Sequence, residues 1–104
     1  MKIVDAPYVN GFKDKKKNKI IRRIKHKVKA NGVYVITSPI ITDGIMDIFQ
    51  YSQLLTKFYD NLRDDMYILG IAKGKKEAKE LIVNIVQDMY DAGYEFDVKG
   101  FFGI

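Results

Sequence analysis

Ten of the eighteen basic residues fall between positions 13 and 29, a density that suits one kind of chemistry above others. Cationic side chains ordered along one helix face displace counterions from a nucleic-acid backbone, so Lys15, Lys16, Lys17, Lys19, Arg22, Arg23, Lys25, Lys27 and Lys29 are candidate phosphate contacts. Tyr8 and Phe12 are the aromatic residues nearby, too few to predict a stacking surface for single strands, and no standard reader motif occurs. A competing reading rests on charge balance. Residues 1–29 hold eleven Lys/Arg against Asp5 and Asp14, a net of +9, whereas residues 30–104 hold seven against eleven acids, a net of −4. Such an arm attracts an anionic partner, its own body or a neighbouring copy.

A second group of residues suits the capture of a small anion. Ser38, Thr42, Asp43 and Gly44 follow one strand-like run, and Lys73, Gly74, Lys75 and Lys76 follow another. Ligands of parallel α/β sheets favour the loops beyond the strand carboxyl ends, so two parallel, adjacent strands would bring these groups together. Lys75 and Lys76 at a helix start add to the positive end of the dipole, and a bound phosphate would relieve them. The spacing matches neither the P-loop nor the dinucleotide fingerprint. Solvated lysines, with Glu77 and Glu80 supplying the favourable charge, explain the same stretch.

Catalytic chemistry finds little support. The single histidine, His26, lies among Lys25, Lys27 and Lys29, which suits a surface position, and Ser38, Ser52 and the threonines have no second base to recruit. With no cysteine there is neither a thiolate ligand nor a thiol nucleophile. Asp60, Asp64 and Asp65, like Asp43 and Asp47, would hold a hard cation only with oxygens from elsewhere. Neither a cofactor, a metal nor a catalytic set is expected.

The elements that would carry these residues follow from periodicity. Ile20, Ile21, Ile24 and Val28 form a helical stripe within residues 13–29, with Asp14 or Asn18 as the N-cap. Asn31 and Gly32 turn the chain into a strand at residues 33–37. Apolar residues from Ile45 to Leu62 recur at intervals of three and four, predicting a helix to about Asn61. Residues 67–72 read as a second buried strand, and Ala78, Leu81, Ile82, Ile85, Val86 and Met89 as the stripe of a further helix. Tyr94, Phe96 and Val98 alternate with charged residues, predicting an edge strand before an apolar tail at residues 101–104. Ile3 and Val4 could add further pairing.

The expectation is one α/β domain over residues 1–104, in two or three layers, with a mainly parallel sheet of three to four strands and about three helices. A chain of 104 residues buries about two-thirds of the surface that it exposes unfolded. No uncharged stretch is long enough to span a bilayer, no signal-peptide pattern opens the chain, and a cytoplasmic location is expected. The leading functional expectation is a non-enzymatic module working by protein contact or self-association, through a sheet edge and the tail. Nucleic-acid binding through residues 13–29 is the first alternative. A small enzyme or sensor for a phosphate-bearing ligand at residues 38–44 and 73–76 is the second.

Overall fold

The run Tyr67-Ile68-Leu69-Gly70-Ile71-Ala72 carries no charge, and a strand of that composition is stable where both of its faces are covered. A computed structural model, which describes residues 1–39 and 44–104, shows how they become covered. In chain order the elements are β1 (Lys2–Asn10), α1 (Asp14–Lys25), β2 (Tyr34–Thr37), β3 (Asp47–Gln50), α2 (Tyr51–Leu54), β4 (Tyr67–Ala72), α3 (Lys75–Asp91) and α4 (Val98–Phe102). Two short 3-10 turns, Lys57–Tyr59 and Arg63–Asp65, bridge α2 and β4.

The four strands lie in the order β1-β4-β2-β3. β1 runs parallel to β4, but β2 is antiparallel to both β4 and β3, so the sheet is mixed and not mainly parallel. The expected parallel pairing of the segments around Tyr34 and Leu69 is thereby corrected. Its physical origin lies in β3: Thr37 pairs with Asp47 and Tyr34 with Gln50, so β2 returns on itself where a helix was predicted.

Helical spacing from residue 45 onward misleads because Ile48 and Phe49 are neighbours that serve opposite faces. Phe49 packs with Ile20, Val35 and Ile71 on one side of the sheet, while Ile48 packs against the cluster of Ile36, Leu69 and Leu81 on the other. A strand alternates its side chains in this way and a helix does not. Helical structure resumes only in α2, and it ends where Arg63 Nη1 donates to the carbonyls of Leu54, at 2.6 Å, and Thr56, at 3.1 Å. These bonds satisfy acceptors left open at the end of the helix.

The same splitting of neighbours defines three layers. Val35 and Ile68 face the α1 side with Ile20 and Ile24, and Ile36 and Leu69 face the α3 side with Leu81, Ile85 and Met89. Opposite Ile36 and Thr37 of β2, β4 holds one residue more, Leu69, between the partners Ile68 and Gly70. This bulge turns Gly70 towards α3 as well, where a Cβ would stand 3.0 Å from Leu81 Cδ2 and 3.2 Å from the Tyr8 carbonyl oxygen. Absence of a side chain at Gly70 thus lets α3 and β1 approach the central strand.

The predicted edge strand at residues 94–98 is instead a turn followed by α4, giving about four helices in place of three. Asp97 decides this locally, because its Oδ1 accepts from the Gly100 amide at 3.0 Å and caps the new helix. The tail folds back on the α3 side, where Phe102 meets Tyr8 edge-on at 6.1 Å between ring centroids.

Tyr8 joins the outer strand to α3 by donating to Asp88 Oδ2 at 2.6 Å. Partial burial, then the bond to Asp88 and its charge, push the phenol up to about 12. A phenol that ionises later in the folded than in the unfolded chain stabilises the fold below pH about 10 and loses that contribution as the pH rises towards 12. Tyr8→Phe is expected to cost about 1 kcal/mol at neutral pH. Its stability should also fall less steeply than the wild type between pH about 10 and 12. Parallel stability curves for the two proteins in urea, across that alkaline range, would contradict the assignment.

Candidate functional site

α1 presents two unlike faces. Ile20 and Ile24 are 2% and 1% exposed and anchor it on the sheet, with Ile21 and Lys17 half-buried beside them. Lys15, Lys19 and Arg22, spaced by four and three residues, lie along the opposite side and are exposed. The helix is shorter than the predicted segment. It ends at Lys25 with His26 as C-cap, Lys27 takes a left-handed φ of 55°, and Val28 is 46% exposed, so Val28 does not belong to the buried stripe. Lys13 is the N-cap and offers no side-chain hydrogen bond, so neither Asp14 nor Asn18 caps the helix. Asp14 is the acid of the first turn, facing a start crowded by Lys15, Lys16 and Lys17. That crowding opposes the helix dipole, and a nearby anion would relieve it.

Two concave surfaces flank this face and share Lys19. One, of about 230 Å³, has Phe12, Ile20, Ala30 and Val33 as its apolar lining and Lys16, Lys19, Arg23 and Asn31 as its polar lining. The other, of about 390 Å³, is lined by Lys15, Asn18, Lys19 and Arg22. Arg23 is held in place by donating from Nη1 to the Lys29 carbonyl at 3.0 Å. Among the described residues the ion pair is Arg63 with Asp60, and no salt bridge ties α1 to the acidic remainder of the chain. Pairing of the basic arm with its own body, the competing reading of the charge balance, is therefore not what the described residues do. By its residue type Asn31 signals a turn. Its place in the wall of the cleft arises from the return of residues 30–33 beneath α1, for which no local signal exists.

Ser38 and Lys73, described members of the second group, are not brought together. Ser38 is buried and spent on β4: its amide donates to the Tyr67 carbonyl at 3.0 Å and its Oγ accepts from the Tyr67 amide at 3.1 Å. Lys73 follows the far end of β4, roughly 20 Å away along an extended strand. Thr42 and Asp43 lie outside the described residues. The rim beyond β4 is shared instead with β1, the parallel neighbour, whose exit leads to α1 on one face while β4 leads to α3 on the other. Such a divergence is where α/β sheets open a crevice, yet here the chain fills it. A Cβ on Gly11, whose φ is +94°, would stand 2.7 Å from Lys73 Cβ, and Asn10 Nδ2 donates to the Glu77 carbonyl at 2.9 Å. At Gly74, the N-cap of α3, a Cβ would lie 3.0 Å from Glu77 Oε2, so the chain's own carboxylate reaches over the helix start, with Lys73, Lys75 and Lys76 exposed around it.

Among the described residues no group of three or more His, Asp or Glu is placed to hold a metal ion, and no helix is long and apolar enough to cross a membrane. The protein is a compact α/β domain with a mixed four-stranded sheet, and its distinctive surface is a helix of exposed cations flanked by shallow clefts. No family model, curated protein or solved structure matches the chain.

Proposed function

We propose that this protein binds nucleic acid through the phosphate backbone, using the exposed face of α1. The observation that carries the reading is the combination of anchoring and freedom in one helix: Ile20 and Ile24 fix α1 to the sheet, while Lys15, Lys19 and Arg22 project with no carboxylate partner among the described residues. Cations held on a rigid element give up little further freedom when they meet a phosphate chain, and release of condensed counterions supplies the affinity. Lys16 and Arg23 at the rim of the apolar cleft extend the same surface towards Phe12 and Asn31. Binding of this kind reads the backbone and carries little sequence preference. A membrane surface is the poorer partner, because the apolar side of α1 is buried in the core and has nothing left to insert among lipids.

The tail offers less to a partner than its apolar sequence implies. Phe101, Phe102 and Ile104 are half-buried against the chain's own second cluster, and the Ile104 amide donates to the Lys99 carbonyl at 3.0 Å. The outer edge of the sheet at β1 carries Pro7 within an irregular stretch between Ile3 and Tyr8, a feature that discourages strand addition.

Fluorescence anisotropy with labelled single-stranded and duplex oligonucleotides, titrated at several salt concentrations, tests the proposal. Engagement of about five cations predicts a slope of log K against log salt of about −4.5 on duplex. No binding at low salt would end the proposal, and tighter binding to anionic vesicles than to either oligonucleotide would replace it with a membrane role.

A further inference from the structure

The side of the molecule opposite α1 carries a second surface of contrary character. Of the six large hydrophobic side chains exposed among the described residues, four lie on α3 and the turn after it: Val83 (67%), Tyr90 (69%), Tyr94 (43%) and Phe96 (69%). No lysine or arginine occurs between Lys79 and Lys99, whereas Glu80, Asp88, Asp91, Glu95 and Asp97 do. The turn that presents these aromatics is held in an uncommon conformation, with Gly93 at φ +81° and Glu95 at φ +51°. A left-handed glutamate is disfavoured sterically, and such strain persists only where its surroundings compensate for it. Tyr94 is further fixed by edge-on packing on Phe101 at 5.7 Å between ring centroids. The result is an acidic and aromatic knob.

The basic face has the complementary form. Its cleft of about 230 Å³ has an apolar lining, Phe12 included, and a rim of Lys16, Lys19 and Arg23. Aromatic rings beside carboxylates suit such a surface twice over, through cation–π contact and through charge pairing. The two surfaces sit on opposite faces of the sheet, because α1 packs with the Val35 and Ile68 side and α3 with the Ile36 and Leu69 side. One chain therefore cannot bring them together.

We infer that copies of this chain associate head to tail, the acidic-aromatic turn around Tyr90 and Phe96 of one copy docking on the basic cleft beside α1 of the next. Contact between two different patches is heterologous, so it does not close as a two-fold dimer and the mass grows with concentration. Nucleic acid on α1 and a neighbouring copy compete for the same cations.

Sedimentation of the full chain at low salt, without nucleic acid, from micromolar to millimolar concentration, tests this independently of the phosphate-binding proposal. The wild type is expected to gain mass with concentration. A knob variant, Tyr90→Ser with Phe96→Ser, and a cleft variant, Lys16→Glu with Lys19→Glu, are each expected to remain monomeric alone. Mixed in equal amounts they should form a dimer and stop there, because each supplies one intact surface. At protein concentrations where the wild type is monomeric, the knob variant should keep the oligonucleotide affinity of the wild type, since it leaves α1 untouched. If circular dichroism shows that Phe96→Ser disturbs the turn, Asp91→Arg replaces it and reads the same surface by charge. A wild type that stays monomeric at millimolar concentration would overturn the inference. So would a variant that associates as the wild type does, or a mixture that remains monomeric.

Discussion

Exchange of Lys19 and Arg22 for glutamate is expected to lower affinity for a short duplex at least about 100-fold at low salt and to flatten the salt dependence by about two units of slope. Both side chains are exposed on α1, four and seven residues beyond Lys15, and neither takes part in a hydrogen bond or salt bridge within the described chain. Their loss removes two phosphate contacts, and the new carboxylates repel the phosphates that remain. The fold should be indifferent, because surface substitutions away from caps and core usually change stability by no more than about 0.5 kcal/mol. Anisotropy titrations paired with a melting curve separate the two effects. Unchanged affinity with an intact fold would show that α1 is not the contact surface.

Ile71→Ala should be among the most damaging single truncations of the core. Ile71 is 0% exposed, pairs with Val9 of β1 on one side and Val35 of β2 on the other, and belongs to the cluster that seats Ile20 and Ile24 of α1. Removal of its outer carbons leaves a void in the middle of the sheet, where hydrogen-bonded strands on both sides limit collapse. Loss of about 2–5 kcal/mol is expected. Against a total stability of about 5–15 kcal/mol, that is enough to move a urea midpoint or a melting temperature far outside error. Val83→Ala, on the exposed face of α3, is the control and should change stability by less than about 0.5 kcal/mol. A loss below about 1 kcal/mol at Ile71 would mean that the sheet is not packed as described.

Elements with their own strong local signal were legible from the residues alone. The stripe of Ala78, Leu81, Ile85 and Met89 is buried in α3 as its spacing required, with Ile82 and Val86 half-buried at its margin. Residues 34–37 and 67–72 are strands because a run of β-branched and aromatic residues without charge suits a position covered on both faces. Ile20 and Ile24 seat α1 for the same reason of spacing, though the stripe stops short of Val28. Residues 45–62 and 94–98 misled because short amphipathic stretches satisfy more than one period. At Ile48 and Phe49 the hydrogen bonds offered by β2 decided for a strand, and at Val98 the Asp97 cap decided for a helix.

Of the two candidate sites, the basic helix was legible because charge density and a helical stripe are local properties. The anion pocket was not, because it depended on the direction of two strands, and direction is set by which backbone groups pair across the sheet. Sequence by itself determined that this chain has amphipathic helices, buried strands and a cationic segment contrasting with an acidic remainder, since side-chain chemistry and spacing suffice for each. Tertiary structure alone decided that β2 runs against β4, that Ser38 and Lys73 stand beyond opposite ends of β4, and that Lys15, Lys19 and Arg22 of α1 face solvent with no salt bridge to an acid among the described residues. These outcomes depend on residues far apart in the chain competing for the same hydrogen bonds and the same core, and no local window records that competition.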